Sequence, residues 1–185
     1  MNAAPRSSFR ERRSAARLAA VQALYAMEIA GGGGSEPIVD DLARRRWSAD
    51  GDSAAEAARD VLPDEEWLRL VVDGAARHRP RLDPEIDAAL SQGWTLARLE
   101  LLLQAILRAG AYELAERREI PVKVVITEYL EIAHAFYAGK EPSLVNAVLD
   151  RLVARLRPPP GTAVDGRDDR PEGDAENGER WTNSS

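Results

Sequence analysis

The chain has 185 residues and a formal net charge of −6; 44% of its residues are hydrophobic and only 5% are aromatic. At this length we expect one domain that buries its own core. The absence of cysteine excludes a disulfide framework, a thiolate zinc site, an iron–sulfur cluster and a cysteine nucleophile, and it fits a reducing cytoplasm. No apolar run reaches the about 18 residues of a membrane span, so we expect a cytoplasmic protein without a secretory signal.

The charge is distributed unevenly along the chain. Residues 1–20 hold five arginines and one glutamate, which gives +4, whereas residues 157–185 hold four arginines and seven acidic residues, which gives −3. This separation predicts an anionic partner at the N-terminal end only. An arginine-rich amphipathic start also occurs in mitochondrial transit peptides, but here it continues directly into an apolar helical pattern.

The first predicted element is a helix over residues 9–30, after a flexible N-terminus at residues 1–7. The glycine-rich linker GGGGS at residues 31–35 ends this helix, because consecutive glycines lose too much backbone entropy in a helix. A short helix is predicted over residues 37–47, and residues 48–63 are predicted to form a loop.

The middle of the chain contains three predicted helices. Asp64 is placed to cap a helix that runs to residue 79, and Asp83-Pro84-Glu85 is typical of a further helix start, with an end near residue 92. Thr95 then opens the most strongly apolar segment, LARLELLLQAILRAGAYELAER. Core positions recur along it at helical spacing: Leu99, Leu102, Leu103, Ile106, Ala109 and Leu114.

Two more helices complete the predicted fold. Residues 122–139 begin with β-branched residues that suit a strand, but their apolar positions keep helical spacing, so we predict a helix. A last helix runs over residues 142–157, and the prolines after it end the ordered structure. Residues 158–185 are poor in apolar residues and are predicted to be a disordered acidic tail. The chain is therefore predicted to be all-α, with about seven helices in one domain over residues 8–157.

No residue pattern indicates a catalytic site. His78 and His134 fall on different predicted helices, and no metalloprotease, nucleophile-elbow or phosphate-loop motif is present. The four glycines follow a helix rather than a strand, which indicates a connector rather than a phosphate cradle. Glu113 and Glu116 have the spacing to share a metal ion, but we interpret them as solvated carboxylates near a helix end. We therefore expect no enzyme, no cofactor and no metal.

The arginines of the first helix form a candidate anion-binding surface. At about 100° per residue, four of them fall within roughly 60° of arc on one face: Arg6, Arg10, Arg13 and Arg17. Such like charges repel each other unless phosphates lie opposite them, and guanidinium groups bind phosphate bidentately. Gln22 and Tyr25, on one flank of the same helix, are candidates to read unpaired bases. These residues alone leave two interpretations open: contact with RNA or DNA, and a solvated charged face.

Four blocks of the sequence occur in an order and spacing typical of one known family. RSAARLAAVQALYAMEIAG has an arginine-rich start and a QALY motif, and ARLELLLQAILRAGAYELAER contains AILR and AYEL. IPVKVVITEYLEIAHAF is similar to the pattern IPxKVxINExxELAKxF, and PSLVNAVLDRL is similar to KFVNGVLDKL. Together these blocks resemble the NusB family over most of residues 9–157. The resemblance implies a NusB-like fold of two small helical bundles that form one domain.

The same resemblance implies a transcription antitermination factor, that is, a non-catalytic adaptor. NusB proteins pair with the ribosomal protein NusE, and the pair binds the boxA element of nascent ribosomal RNA. This helps to assemble an RNA polymerase complex that resists termination. The family's RNA contacts carry over by matching position to Arg10, Arg12, Arg13, Arg17, Gln22 and Tyr25. Arg6 is added for its charge alone.

Four positions depart from the family pattern. Leu103 stands where the family often has an acid used towards NusE, and Leu144 replaces an aromatic residue near bound RNA. Thr127 replaces an asparagine. Lys140 stands where an acid is common, and because a lysine strengthens phosphate contact we add Lys140 to the RNA-binding residues.

Two alternative functions remain open. A NusB-like domain also precedes the catalytic domain of some ribosomal RNA cytosine methyltransferases, but that role needs a downstream domain and catalytic cysteines, and this chain has no cysteine. A helical homodimer with secondary RNA binding would be favoured by an exposed apolar stripe that includes Leu103. We also hypothesise that the acidic tail shields the basic helix from non-specific RNA.

Overall fold

The computed structural model describes residues 8–31, 35–44, 61–91 and 93–158. Within these ranges the chain forms six α-helices, one short 3-10 helix and no strand, which confirms the predicted all-α class. The α-helices are α1 (Phe9–Ile29), α2 (Ser35–Arg44), α3 (Glu65–Ala89), α4 (Leu101–Glu116), α5 (Val122–Phe136) and α6 (Glu141–Leu156). The predictions made for residues 1–7, 32–34, 45–60 and 159–185 lie outside the described residues.

Helix α1 begins and ends where local sequence signals place it. The Ser8 hydroxyl accepts a hydrogen bond from the Glu11 backbone N–H (3.2 Å), and the Glu11 carboxylate accepts one from the Ser8 N–H (2.6 Å). This reciprocal capping box satisfies two free donors at the helix start. After the helix, Gly31 has a φ of 74°, a left-handed conformation that glycine adopts without steric cost.

Helix α3 is continuous where two helices were predicted. Pro80 and Pro84 lie inside it, so the expected new start at Asp83-Pro84-Glu85 is wrong. The two prolines are four residues apart and both exposed, so the backbone hydrogen bonds that they remove are lost on the solvent side, where water can replace them. Asp83 does not cap a helix; it accepts two hydrogen bonds from Arg108 on α4, at 2.8 and 3.0 Å.

Helix α4 is the centre of the domain. It starts at Leu101 rather than at Thr95, after a short 3-10 helix over Leu96–Arg98, and every residue from Leu103 to Leu114 is buried. It packs against α1 and α3 on one side and against α5 and α6 on the other. The helices therefore form two small bundles that share α4, as predicted.

Helix α5 confirms the choice of helix over strand. Its buried residues Val125, Tyr129, Ile132 and Ala133 recur at helical spacing along one side. Burial of this apolar face against α4 and α6 outweighs the weak preference of β-branched residues for a strand. None of the described helices combines the length and the apolar character that crossing a membrane requires.

Arg157, just after α6, connects the end of the chain's last described helix to α4. Its guanidinium group donates hydrogen bonds to four backbone carbonyls at 2.5–2.9 Å, those of Glu113, Leu114, Arg117 and Ile120. The last carbonyls of a helix have no partner within the helix. Arg157 supplies a partner to the Leu114 carbonyl and a second donor to the carbonyls of Glu113 and Arg117, which also accept backbone N–H bonds. Together with the bond to Ile120 these contacts fix the loop between α4 and α5.

Candidate nucleic-acid interface

The start of α1 presents cationic side chains to solvent. Arg10 and Arg12 are exposed, and Arg13 is half-buried. The guanidinium carbon of Arg13 lies 3.8 Å from the centre of the Trp67 ring and 4.7 Å from that of Phe9. Its Nε also lies 3.3 Å from an Asp64 carboxylate oxygen. Cation–π contact and the ion pair hold Arg13 in one position, whereas Arg10 and Arg12 project freely from the first turns.

Arg17 does not belong to this exposed face. Its side chain is only 3% exposed, and it donates two hydrogen bonds to Glu113 on α4, at 2.8 and 2.9 Å. A second carboxylate, Glu128 on α5, lies 3.4 Å away. The predicted face of four exposed arginines is therefore wrong at Arg17, because two buried carboxylates from distant parts of the chain draw this guanidinium into the core. Glu113 is fully buried as well, so its predicted solvent exposure is also wrong.

The electrostatics of this buried cluster favour the charged ion pair. Burial by itself lowers the pKa of Arg17, but the hydrogen bonds and negative charge of Glu113 raise it above the usual value. The Tyr129 hydroxyl donates to Glu113 at 2.9 Å, and burial together with that carboxylate raises the pKa of Tyr129 well above its usual value. Glu113 thus accepts hydrogen bonds from both Arg17 and Tyr129, which compensates its loss of water.

Trp67, in the first turn of α3, is a contact point for several arginines. Its ring is buried, and besides Arg13 it is approached by Arg17 at 5.7 Å and by Arg117 at 5.5 Å. The tryptophan therefore orients three guanidinium groups below the start of α1. Residue spacing in the sequence could not identify this arrangement, because the arginines come from α1 and from the end of α4, which are far apart in the chain.

A groove of about 630 Å³ lies between the start of α1 and the start of α5. We call it the α1–α5 groove; its lining residues are Phe9, Arg10, Arg13, Arg17, Ile120, Pro121, Lys123, Val124, Thr127 and Glu128. Phe9 and Val124 remain 68% and 41% exposed, so the groove has an apolar floor beside cationic groups. The sequence pattern indicated the arginines of this groove but not Lys123 and Val124.

The two candidate base-reading residues lie at the other end of α1. Tyr25 is 37% exposed and lines a shallow pocket whose other residues are Glu100, Leu101, Leu102, Phe136 and Tyr137. Gln22 is half-buried, and its Oε1 atom accepts no hydrogen bond from the described residues. At 1.5 Å rise per residue, Arg10 and Tyr25 are about 22 Å apart along the helix. The predicted residues therefore form two separate groups along α1.

Of the two remaining predicted RNA-binding residues, only Lys140 lies in the described part of the chain. Lys140 is exposed at the start of α6, three residues after Tyr137, and so lies at the Tyr25 end of the surface. Arg6 lies outside the described residues. Glu116 forms a hydrogen-bonded ion pair with Arg81, so it is not placed to share a metal ion with Glu113. Within the described parts of the chain, no group of three histidine, aspartate or glutamate side chains is placed to hold a metal ion.

The described part of the chain defines a class of protein: a small all-α domain with exposed arginines at the start of α1 and a separate exposed pocket at Tyr25. The chain belongs to the NusB family, whose sequence pattern matches residues 14–154. It is similar to the transcription antitermination protein NusB of Rhizobium rhizogenes (strain K84), with 49% identity over 146 residues, 78% of this chain and 88% of that protein. The corresponding protein of Agrobacterium fabrum (strain C58) is 46% identical over 78% of this chain and 85% of its own length.

Solved structures agree with this assignment. NusB from T. maritima covers 79% of this chain and 93% of its own, with a TM-score of 0.63 and 27% identity. A structure of antitermination factors NusB and NusE in complex with dsRNA covers 80% of this chain and 99% of its own, with a TM-score of 0.61. At 22% identity the latter match shows the shared fold only. The predicted family, and with it the class of function, transcription antitermination, is confirmed.

Proposed function

We propose that this protein is a non-catalytic antitermination adaptor that binds single-stranded, boxA-like RNA of nascent ribosomal transcripts together with NusE. One observation carries the proposal: the first turns of α1 hold exposed Arg10 and Arg12 beside an immobilised Arg13. Because Arg13 is already held in one position, it loses less entropy when it binds phosphate, and the exposed Arg10 and Arg12 are accessible to further phosphates. A solved complex of NusB and NusE with dsRNA has the same fold, which makes NusE and RNA the partners to test first.

We assign the contacts to two groups along α1. Arg10, Arg12 and Arg13 would bind phosphates, and Arg6 would extend this group. Tyr25 would stack on an unpaired base beside Gln22, whose buried Oε1 lacks a partner among the described residues. Lys140 would bind a further phosphate at the Tyr25 end. Arg17 is left out of the contacts, because its guanidinium is occupied by Glu113.

The proposed role has three further consequences. The protein acts in the cytoplasm as part of an RNA polymerase antitermination complex. It performs no catalysis, since the relatives named as antitermination proteins match it over most of their length. For the same reason the methyltransferase module is the weaker alternative.

A homodimer is the second candidate state. The exposed apolar stripe expected to favour a homodimer does not include Leu103, which is only 4% exposed. An exposed apolar patch nevertheless exists at Tyr25, Leu101 and Phe136. Self-association through this patch would cover Tyr25 and compete with RNA. Sedimentation over a range of concentrations tests for it, and monomers at every concentration would remove this candidate.

The main experiment is a fluorescence-anisotropy titration of a labelled boxA-like RNA with and without NusE, at several salt concentrations. For Arg10→Ala/Arg12→Ala we expect weaker binding and a salt slope lower by about 1.4, because each lost single-strand phosphate contact removes about 0.7. The matched control is Arg77→Ala/Arg155→Ala, which removes the same charge from exposed positions on α3 and α6. Equal effects of the two pairs would refute the site. A duplex of the same sequence tests the preference for unpaired RNA.

A further inference from the structure

The α1–α5 groove combines two properties that the proposed RNA contacts do not fully use. Its floor is apolar, with Phe9 and Val124 exposed in it, while Arg10 and Lys123 bring positive charge. Glu128 is the one carboxylate among the lining residues, and it lies 3.4 Å from Arg17. The groove therefore retains a positive charge beside an apolar floor. Such a surface suits an acidic peptide that carries an aromatic side chain.

The described chain ends beside this groove. Arg157 donates a hydrogen bond to the carbonyl of Ile120 at 2.8 Å, and Ile120 lines the groove. Arg118 of the same loop donates to the carbonyl of Leu156 at 3.2 Å. The last described residues, Arg157 and Pro158, therefore lie on the same side of the domain as the α1–α5 groove.

The sequence after Pro158 contains a segment of the complementary kind. Residues 172–181 read EGDAENGERW, with four acidic residues, one arginine and a tryptophan. Trp181 is the only aromatic residue after Pro158. It is 23 residues beyond Pro158, and a chain of that length spans at most about 80 Å, so reach does not prevent contact with the groove.

We propose that residues 172–181 occupy the α1–α5 groove of the same molecule, with the Trp181 indole on Phe9 and Val124 and the acidic side chains towards Arg10 and Lys123. A tethered segment has an effective concentration of the order of millimolar, so a weak contact is enough to fill the groove. The segment then competes with RNA for Arg10. RNA that also binds the Tyr25 end displaces it, whereas RNA that offers phosphates alone is excluded. The docking is independent of the proposed function, but the competition rests on it.

Docking is tested on the full chain without RNA. Because the chain has no cysteine, Ser184→Cys gives a single site for a spin label beside the segment. We expect paramagnetic broadening of the amide signals of residues 9–13, 120 and 122–127, and none at Trp94, which serves as the internal control. The broadening should disappear in Arg10→Glu/Lys123→Glu and at high salt. Broadening that is absent, or equal everywhere, would overturn the proposal.

Competition is tested with a mixed-sequence single-stranded RNA that lacks the boxA element. Trp181→Ala, and separately the replacement of the four acids by their amides, should tighten its binding by about two- to tenfold at low salt. Replacement of Thr182 by alanine is the matched control and should change nothing. Docking without any RNA binding would refute the proposed function alone. The docking would be refuted if no broadening is seen and if RNA binding depends on Arg10 but does not change when the segment is altered. In that case the groove binds RNA alone.

Discussion

Arg17 on α1 and Glu113 on α4 form a buried ion pair with two parallel hydrogen bonds, 96 residues apart in the sequence. Tyr129 on α5 donates to the same carboxylate. Three helices from both bundles therefore meet at Glu113. Arg17, which a helical projection would assign to an RNA-binding face, instead fixes α1 against the central helix.

Removal of one partner of this pair should destabilise the fold strongly. For Arg17→Ala we expect a loss of about 3–5 kcal/mol in the free energy of unfolding, because Glu113 is left as an uncompensated buried charge. Urea denaturation measures it. Arg12→Ala, an exposed change on the same helix, should cost less than about 0.5 kcal/mol. The double variant Arg17→Met/Glu113→Leu should be more stable than Arg17→Ala. Unchanged stability in Arg17→Ala together with weaker RNA binding would restore Arg17 as an RNA contact.

Tyr137, which lies beside Tyr25, should ionise at a higher pH than an ordinary tyrosine. Burial and the Glu100 carboxylate, which accepts its hydrogen bond at 3.2 Å, raise the pKa of Tyr137 to about 12. A raised folded-state pKa means that this tyrosine contributes stability below its unfolded pKa of about 10, and that the contribution is lost as the pH rises from about 10 to 12. The difference between the ultraviolet titrations of wild type and Tyr137→Phe measures it. Glu100→Gln should lower the value; a midpoint at 10 in the wild type would contradict the assignment.

Gly74 on α3 should tolerate no side chain. A Cβ atom there would lie 2.0 Å from Cζ of Tyr112, whose ring is buried against α3. Gly74→Ala should therefore cost about 1–3 kcal/mol of stability despite the better helix propensity of alanine. Thermal or urea unfolding measures the loss. In a Tyr112→Ala background the same change should become neutral or stabilising, and a penalty of equal size there would show that the tyrosine is not the cause.

Arg157 should be required for the loop between α4 and α5. Its guanidinium group donates to two carbonyls at the end of α4 and to two in the loop that follows, so Arg157→Ala should cost about 1–3 kcal/mol. Hydrogen exchange should become faster at residues 117–120. Arg155→Ala removes the same charge from an exposed ion pair with Glu85 and should cost less than about 1 kcal/mol. Equal effects of the two substitutions would contradict a specific role for Arg157.

The sequence predicted those elements whose signals are local. Ser8 and Glu11 determine the start of α1, and Asp64 caps α3 by accepting a hydrogen bond from the Trp67 N–H at 3.1 Å. The helical spacing of apolar residues identified α4 as the core helix and gave the helical state of α5. All of these depend on residues within one or two turns of each other, so a single stretch of sequence contains the whole interaction.

The tertiary structure decided the features that depend on distant partners. Asp83-Pro84 resembles a helix start, but an ion pair with Arg108 and the exposure of both prolines let α3 continue through it. The local sequence also gave Arg13 and Arg17 the same face of α1. One is held half-exposed on Trp67, and the other is drawn into the core by Glu113. A helical projection gives the direction of a side chain, whereas its burial and charge partners are set by the helices that pack against it.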